Sequence, residues 1–152
     1  MYNEADYKKL RAWDLATPVL DLSRSFSRLG RGAATGIDRV ERAYLNEIIR
    51  RGGWGIIRTP RGFLLFEPDR LSRLPDYLDR EDLDGADQAS TIRAIASSRS
   101  SSLSIRKIMW RMPNGLAYLN VCHTNLNPQT MRAMMEMPEH SKVVMIHDTI
   151  PI

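Results

Sequence analysis

Three glycines, Gly30, Gly32 and Gly36, stand between an apolar pair, Leu20 and Leu22, and an apolar-periodic run that begins at Ile37. This order predicts a strand, a glycine-rich loop and the first turn of a helix. Glycine carries no side chain to block a close approach to the backbone. Thr35 can cap the helix, with Asp38 three residues on in a variant of the capping box. The first-turn N–H groups and the positive end of such a helix attract an anion. Arg24, Arg28 and Arg31 add positive charge around the loop. A phosphate-bearing ligand fits this set. A plain strand-to-helix turn with solvated arginines fits it too.

A second set of residues lies towards the end of the chain. His147 and Asp148 follow the continuous apolar run Val143–Ile146, and His123 and Asn125 follow the apolar run Leu116–Cys122. A histidine at a strand's carboxyl end can bond a ligand hydroxyl or phosphate, or be tied to nearby backbone. Position alone leaves both open. Asp148 can orient the imidazole, hold the loop or be solvated. Thr124 and Asn125 read as turn formers. His140 lies in a polar loop and no His-x-x-x-His spacing exists, so the histidines do not suggest a metal. No Gly-x-Ser-x-Gly element supports an esterase-type nucleophile. Gly30-x-Gly32-x-x-x-Gly36 is close to the dinucleotide-binding fingerprint, but its last interval is one residue too long. Ile57-Arg58-Thr59 also stands where an acidic residue is expected.

The elements that must position these groups follow from periodicity. Residues 1–16 read as a helical lead-in with Tyr7, Leu10 and Trp13 at helical spacing. Pro18 opens a strand over Val19–Leu22. Ile37–Arg51 predicts the strongest helix, with Ile37, Val40, Tyr44, Leu45, Ile48 and Ile49 on one face and Arg39, Arg42, Glu47 and Arg50 opposite. Gly52 and Gly53 stop it. Trp54–Thr59 and Phe63–Phe66 are a hairpin or two successive strands. Leu71, Leu74 and Leu78 suggest a short helix interrupted near Pro75, and 79–87 an acidic surface loop. Weak helicity follows over 88–96, then a serine-rich, mobile stretch at Ser97–Ser104. Ile105, Ile108, Met109 and Met112 give another helical face. Asn127-Pro128 starts a helix on which Met131, Met134 and Met135 face inward. Strands alternate with helices, which implies an α/β sandwich with a mostly parallel sheet. In such sheets ligands bind beyond the carboxyl ends of the strands. The loop at 23–36, His123 and His147-Asp148 all belong to that edge.

The chain has 152 residues, one domain's length, and its 43% hydrophobic content can build a core. The formal charge is +4 and most of the positive charge is arginine, whose fork pairs with phosphate oxygens. This balance permits nucleic acid, an anionic membrane surface or a nucleotide diphosphate. Arginines scattered over helix faces, with no aromatic platform, argue against nucleic acid. Cys122 is the only cysteine. It allows no intrachain disulfide, and a reducing, cytoplasmic location is the simplest home. The polar, acidic start is wrong for a secretory signal, and no apolar run reaches the roughly 20 residues of a membrane span.

Thr35-Gly-Ile-Asp-Arg-Val-Glu-Arg-Ala-Tyr-Leu45 resembles the first-helix motif of the retaining family-4, or group 1, glycosyltransferases. Val144-Met-Ile-His-Asp-Thr-Ile-Pro-Ile152 resembles the same family's His-Asp-x-Ile-Pro segment, and Tyr118–Leu126 fits the strand before it. The resemblance implies a Rossmann-like, mostly parallel sheet with flanking helices, one half of a two-domain B-type (GT-B) enzyme. Residues 1–152 would be the amino-terminal, acceptor-side domain. The donor-binding carboxyl-terminal domain would be absent, and the fragment inactive alone. The implied reaction transfers a sugar, with retention, from a nucleotide diphosphate sugar to a glycan or lipid-linked acceptor. No metal or cofactor is implied, and peripheral membrane contact is compatible with such an acceptor. His147 and Asp148 are then the catalytic candidates. Thr35, Gly36, Arg39, His123 and Asn125 are the substrate-binding candidates, with Gly36 near the donor phosphates. The alternative is a non-enzymatic α/β module that binds a nucleotide or phosphate.

Overall fold

The computed structural model describes residues 17–31, 33–60, 62–78, 80, 83–97, 116–122, 128, 131 and 141–144. Five strands, β1 (Thr17–Asp21), β2 (Trp54–Thr59), β3 (Gly62–Phe66), β4 (Leu116–Asn120) and β5 (Ser141–Val144), form one sheet in the order β3-β2-β1-β4-β5. Strand β1 pairs in parallel with both β2 and β4, and β4 in parallel with β5. Only β2–β3 is antiparallel, so the two apolar runs form a hairpin in which Thr59 pairs with Gly62. The result is an open, mixed α/β sheet, parallel at three of its four pairings.

The chain runs outward from β1 to β2 and β3, then returns to the other side of β1 as β4 and β5. The order therefore reverses between β1 and β4. Because β1 and β4 are parallel, their carboxyl ends open side by side, the place where open α/β sheets hold ligands.

Helix α1 (Ser23–Ser27) follows β1 at once, and α2 (Gly36–Arg50) connects the loop after it to β2. The glycine loop thus does not leave the strand directly. A helical turn intervenes, nucleated where the Asp21 carboxylate takes the N–H of Ser23 and the Leu22 carbonyl takes that of Phe26. Leu22 stands just beyond its strand, as Val121 does beyond β4. Helix α2 ends as its glycines predict. Gly52 adopts φ +65, its N–H bonds Ile49 O, and that of Gly53 bonds Ile48 O. This paired pattern satisfies the last carbonyls of the helix, and only glycine takes the left-handed position without strain.

Three short helices follow among the described residues: α3 (Pro68–Leu71), α4 (Leu74–Leu78) and α5 (Gly85–Ile95). Pro75 lies inside the first turn of α4, where it breaks no intrahelical bond. Helix α5 begins within the stretch read as an acidic loop. Asp84 caps it, accepting from the N–H groups of Ala86 and Asp87 at 2.8 Å. An aspartate run therefore carried a helix start rather than only a solvated surface.

The core lies on one face of the sheet. Leu20, Leu22, Ile57, Leu64, Phe66 and Val121 pack against Leu45 and Ile48 of α2, Leu71, Leu74, and Ile92 and Ile95 of α5. Full burial of each such side chain contributes about 1.5–3 kcal/mol. Strand alternation sends Val19, Asp21, Ile56 and Tyr118 to the opposite face, where they too are buried. Met131 departs from expectation, since it is 39% exposed rather than turned inward. Three methionines near helical spacing do not say which of them faces the core. The helical readings of 1–16 and 105–112, most of the serine-rich stretch, Met134, Met135 and Ile146 lie outside the described residues. No helix among the described residues is long and apolar enough to cross a membrane.

Candidate functional site

The site is built around the start of α2, which lies at the carboxyl edge of β1 because α2 connects two parallel strands. Thr35 takes extended backbone as the cap, and the predicted box is complete. Asp38 Oδ2 accepts from Thr35 N at 2.7 Å, while Thr35 Oγ1 accepts from Asp38 N at 3.4 Å. The box occupies the N–H groups of Thr35 and Asp38. Those of Gly36 and Ile37 take no part in it.

The arginines are more ordered than a solvated halo. Arg24 Nε lies 3.1 Å from Asp38 Oδ1, and Arg28 Nε lies 3.1 Å from Asp38 Oδ2. One carboxylate thus fixes two guanidiniums, which leaves one formal positive charge beside the helix start. Burial alone would raise the Asp38 carboxyl. The hydrogen bonds from Thr35 and the charges of Arg24 and Arg28 outweigh it and hold the group below its ordinary value. Arg31 is exposed.

Gly30 and Gly36 serve different ends. Gly30 adopts φ +70, and a Cβ there would meet Gly85 Cα and N at 3.0 Å. A Cβ on Gly85 would in turn lie 2.7 Å from Leu29 O. Gly30 therefore lets the loop backbone rest on the start of α5, a packing use, and Gly30 and Gly85 also border the adjoining cleft. Arg93 of α5 reinforces the contact, 5.2 Å over the ring of Phe26 in α1. At Gly36 a Cβ would meet nothing within 4 Å, and the residue is exposed. Of the described loop glycines, Gly36 is the one that leaves the backbone open. Gly32 lies outside the described residues.

Between the loop and α5 runs a cleft of about 660 Å³, bordered by Arg28, Ala33, Asp38, Arg42, Arg80 and Gln88. Its size is that of a small-molecule site.

Beneath this edge, at the reversal between β1 and β4, lies a buried polar cluster. Asp21 Oδ1 accepts from Ser23 N at 2.9 Å and Ser23 Oγ at 2.5 Å, and Oδ2 accepts from the Tyr118 hydroxyl at 2.5 Å. Ser23 Oγ also accepts from Arg58 N at 2.7 Å, which pins the exit of β1 to β2. Asn120 donates to the Tyr118 oxygen at 3.4 Å and accepts from Cys122 N at 3.0 Å. On the helix side, Glu41 of α2 has no exposed surface. Its Oε2 faces Cys122 Sγ at 2.9 Å, and its Oε1 faces Ser25 N at 3.4 Å. Burial raises both carboxyls. The hydrogen bonds to each pull the other way, and the Asp21 charge adds to the rise of Glu41. Burial also raises the Tyr118 phenol and the Cys122 thiol, each helped by its neighbouring carboxylate. Both effects disfavour the thiolate at Cys122, the form in which a cysteine is a nucleophile.

Of the residues singled out in the sequence, Thr35, Gly36 and Arg39 come together at the exposed start of α2. His123, Asn125, His147 and Asp148 lie outside the described residues. Asp21, Glu41, Tyr118 and Asn120 escaped the sequence reading. Glu41 did leave a signal: it stands four residues after Ile37 and four before Leu45, on the apolar stripe itself. Among the described residues no group of three His, Cys, Asp or Glu side chains could hold a metal ion. No family model, curated protein or solved structure matches the chain.

Proposed function

We propose that the chain is the amino-terminal, acceptor-side unit of a retaining glycosyltransferase that uses a nucleotide diphosphate sugar, with a Rossmann-like sheet of the two-domain B type. One observation carries the reading. The glycine-containing start of a long capped helix opens at the strand-order reversal, with Gly36 unobstructed and two guanidiniums fixed beside it. Such a helix start and fixed positive charge suit a diphosphate, and stabilising that leaving group is the main electrostatic task of sugar transfer. The two motifs that resemble the family stand in the family's order along the sequence. In this reading Thr35, Gly36 and Arg39 face the substrates, His123 and Asn125 extend their site, and His147 and Asp148 lie near the reacting sugar. A glycan or lipid-linked acceptor is the second substrate. A cytoplasmic, membrane-peripheral setting suits that chemistry.

The test is a heteronuclear NMR titration of the protein with UDP-, GDP- and ADP-hexoses and with inorganic phosphate. Saturable shifts at Thr35, Gly36 and Ile37 that need the nucleotide support the reading. Equal response to phosphate alone favours a simple phosphate-binding module. No shift at these amides up to about 10 mM nucleotide sugar, well past a millimolar Kd, removes the diphosphate from the start of α2 and with it the observation that carries the reading.

A further inference from the structure

Glu41 stands among the core residues of α2, with Leu45 one turn on. Its two oxygens reach two other elements, Ser25 N of α1 and Cys122 Sγ just past β4. It is the point at which α1, α2 and the end of β4 are tied together, below the loop that carries Thr35 and Gly36. The charged and titratable groups around it are known element by element. Asp21 of β1 is a second buried carboxyl whose charge reaches Glu41. Cys122 and, behind it, Tyr118 belong to the end of β4. Arg24 of α1 sends its guanidinium to Asp38 and Thr35 rather than to Glu41. Arg58 of β2 acts on Asp21 and Tyr118. On α2 itself, Asp38 lies one turn earlier and is taken by Arg24 and Arg28. No guanidinium is paired with Glu41 in any of these contacts.

We propose that Glu41 is a protonation-controlled latch: as a neutral acid it holds α1 and the start of α2 against the carboxyl end of β4, and on losing its proton it releases them. A neutral carboxyl in this buried site needs no counter-charge. A carboxylate does, and the described groups that meet it, the N–H and side chain of Ser25 and the Cys122 thiol, include no cation, in a site that already holds Asp21. Burial of an unpaired charge is costly enough that the group neutralises or the site opens. The direction of the Glu41 shift agrees, since burial favours the neutral form. The loop between α1 and α2 is already exposed, and opening frees it from its anchor at the end of β4, so any ligand held at that edge becomes coupled to the proton. The inference goes beyond the proposed glycosyl transfer and holds whatever the edge binds.

Amide hydrogen exchange of residues 23–36, with no ligand present, tests it from about pH 5 to about pH 9. After correction for intrinsic base-catalysed exchange, the opening constant of this segment should rise by about tenfold per pH unit between the ordinary and the buried glutamate value. Glu41→Gln should flatten that rise. Asp21→Asn should keep it but move it to lower pH, because a neighbouring negative charge has gone. A carbon-13 carboxyl titration of Glu41 in the unsubstituted protein reads the same proton even if a variant fails to fold. An equal slope in Glu41→Gln, a slope lost only in Asp21→Asn, or a Glu41 carboxyl that titrates in the ordinary range would each overturn the latch.

Discussion

The Tyr118 hydroxyl on β4 donates to the Asp21 carboxylate on β1 at 2.5 Å, with both residues buried on the sheet face opposite the main core. Their strands are hydrogen-bonded neighbours, so this bond doubles a backbone ladder with a side-chain one. Tyr118→Phe keeps the ring and removes the donor. Asp21 Oδ2 and the Asn120 amide then lose their shared partner. A buried acceptor left in this way costs about 1–3 kcal/mol. Urea unfolding should show that loss in midpoint with an unchanged slope; a loss below about 0.5 kcal/mol would mean that water replaces the hydroxyl.

Gly85→Ala should destabilise the protein by about 1–3 kcal/mol, the range for forced overpacking. Its Cβ would lie 2.7 Å from a backbone carbonyl oxygen, Leu29 O, which cannot swing aside as a side-chain tip could. Gly30→Ala meets the same contact from the other side and adds the strain of φ +70. Both losses appear as lower thermal midpoints. If Gly85→Ala melts with the parent, the loop does not rest on α5.

Much of this fold was legible in the residues. Strand β2 was read to its ends because Trp54, Ile56, Ile57 and Thr59, strand-forming types, stand between the breakers Gly53 and Pro60. Helix α2 announced its cap, stripe and glycine stop. The polar cluster was hidden for a physical reason. Asp21 and Glu41 are charged residue types, and pattern reading assigns those to solvent. Their burial depends on partners about 80 and 97 residues away, Cys122 for Glu41 and Tyr118 for Asp21, which no local window contains. Gly30 was legible in part. A glycine at a loop reads as room for a ligand, and Gly30 does border the cleft, but it also packs on Gly85, which no local pattern shows. The helix start at Asp84 was lost inside an acidic run, where one capping aspartate looks like its solvated neighbours.

The Thr35–Asp38 box predicts an acid-side effect. The Asp38 carboxyl is held below its ordinary 3.8 in the folded protein. Its contribution is therefore fully present above that ordinary value and is lost as pH falls through the lower, folded value. Asp38→Asn should lower the thermal midpoint at neutral pH, and the gap from the parent should narrow as the pH drops below about 3.8. Thr35→Ala should cost about 0.5–2 kcal/mol at neutral pH, as loss of a helix cap does. A gap for Asp38→Asn that is constant down to low pH would show that the two guanidiniums do not rely on the ionised carboxylate.

Gly36→Val separates a ligand role from a packing role. A Cβ at this position meets nothing within 4 Å, and the residue is an exposed first-turn position of α2. A β-branched residue costs less helix propensity at a helix end than inside, and valine exceeds alanine by under about 0.7 kcal/mol. The variant should therefore fold with a thermal midpoint close to the parent's, unlike Gly85→Ala. Its isopropyl group would stand beside the N–H groups of Gly36 and Ile37, where a phosphate would have to approach. Titration with a nucleotide diphosphate sugar should then show affinity reduced by about tenfold or more, equivalent to about 1.4 kcal/mol. Gly36→Ala should lie between the two. Unaltered affinity in a well-folded Gly36→Val protein would move any phosphate away from the start of α2, and a collapsed thermal midpoint would show that the open space seen around Gly36 is needed by the fold itself.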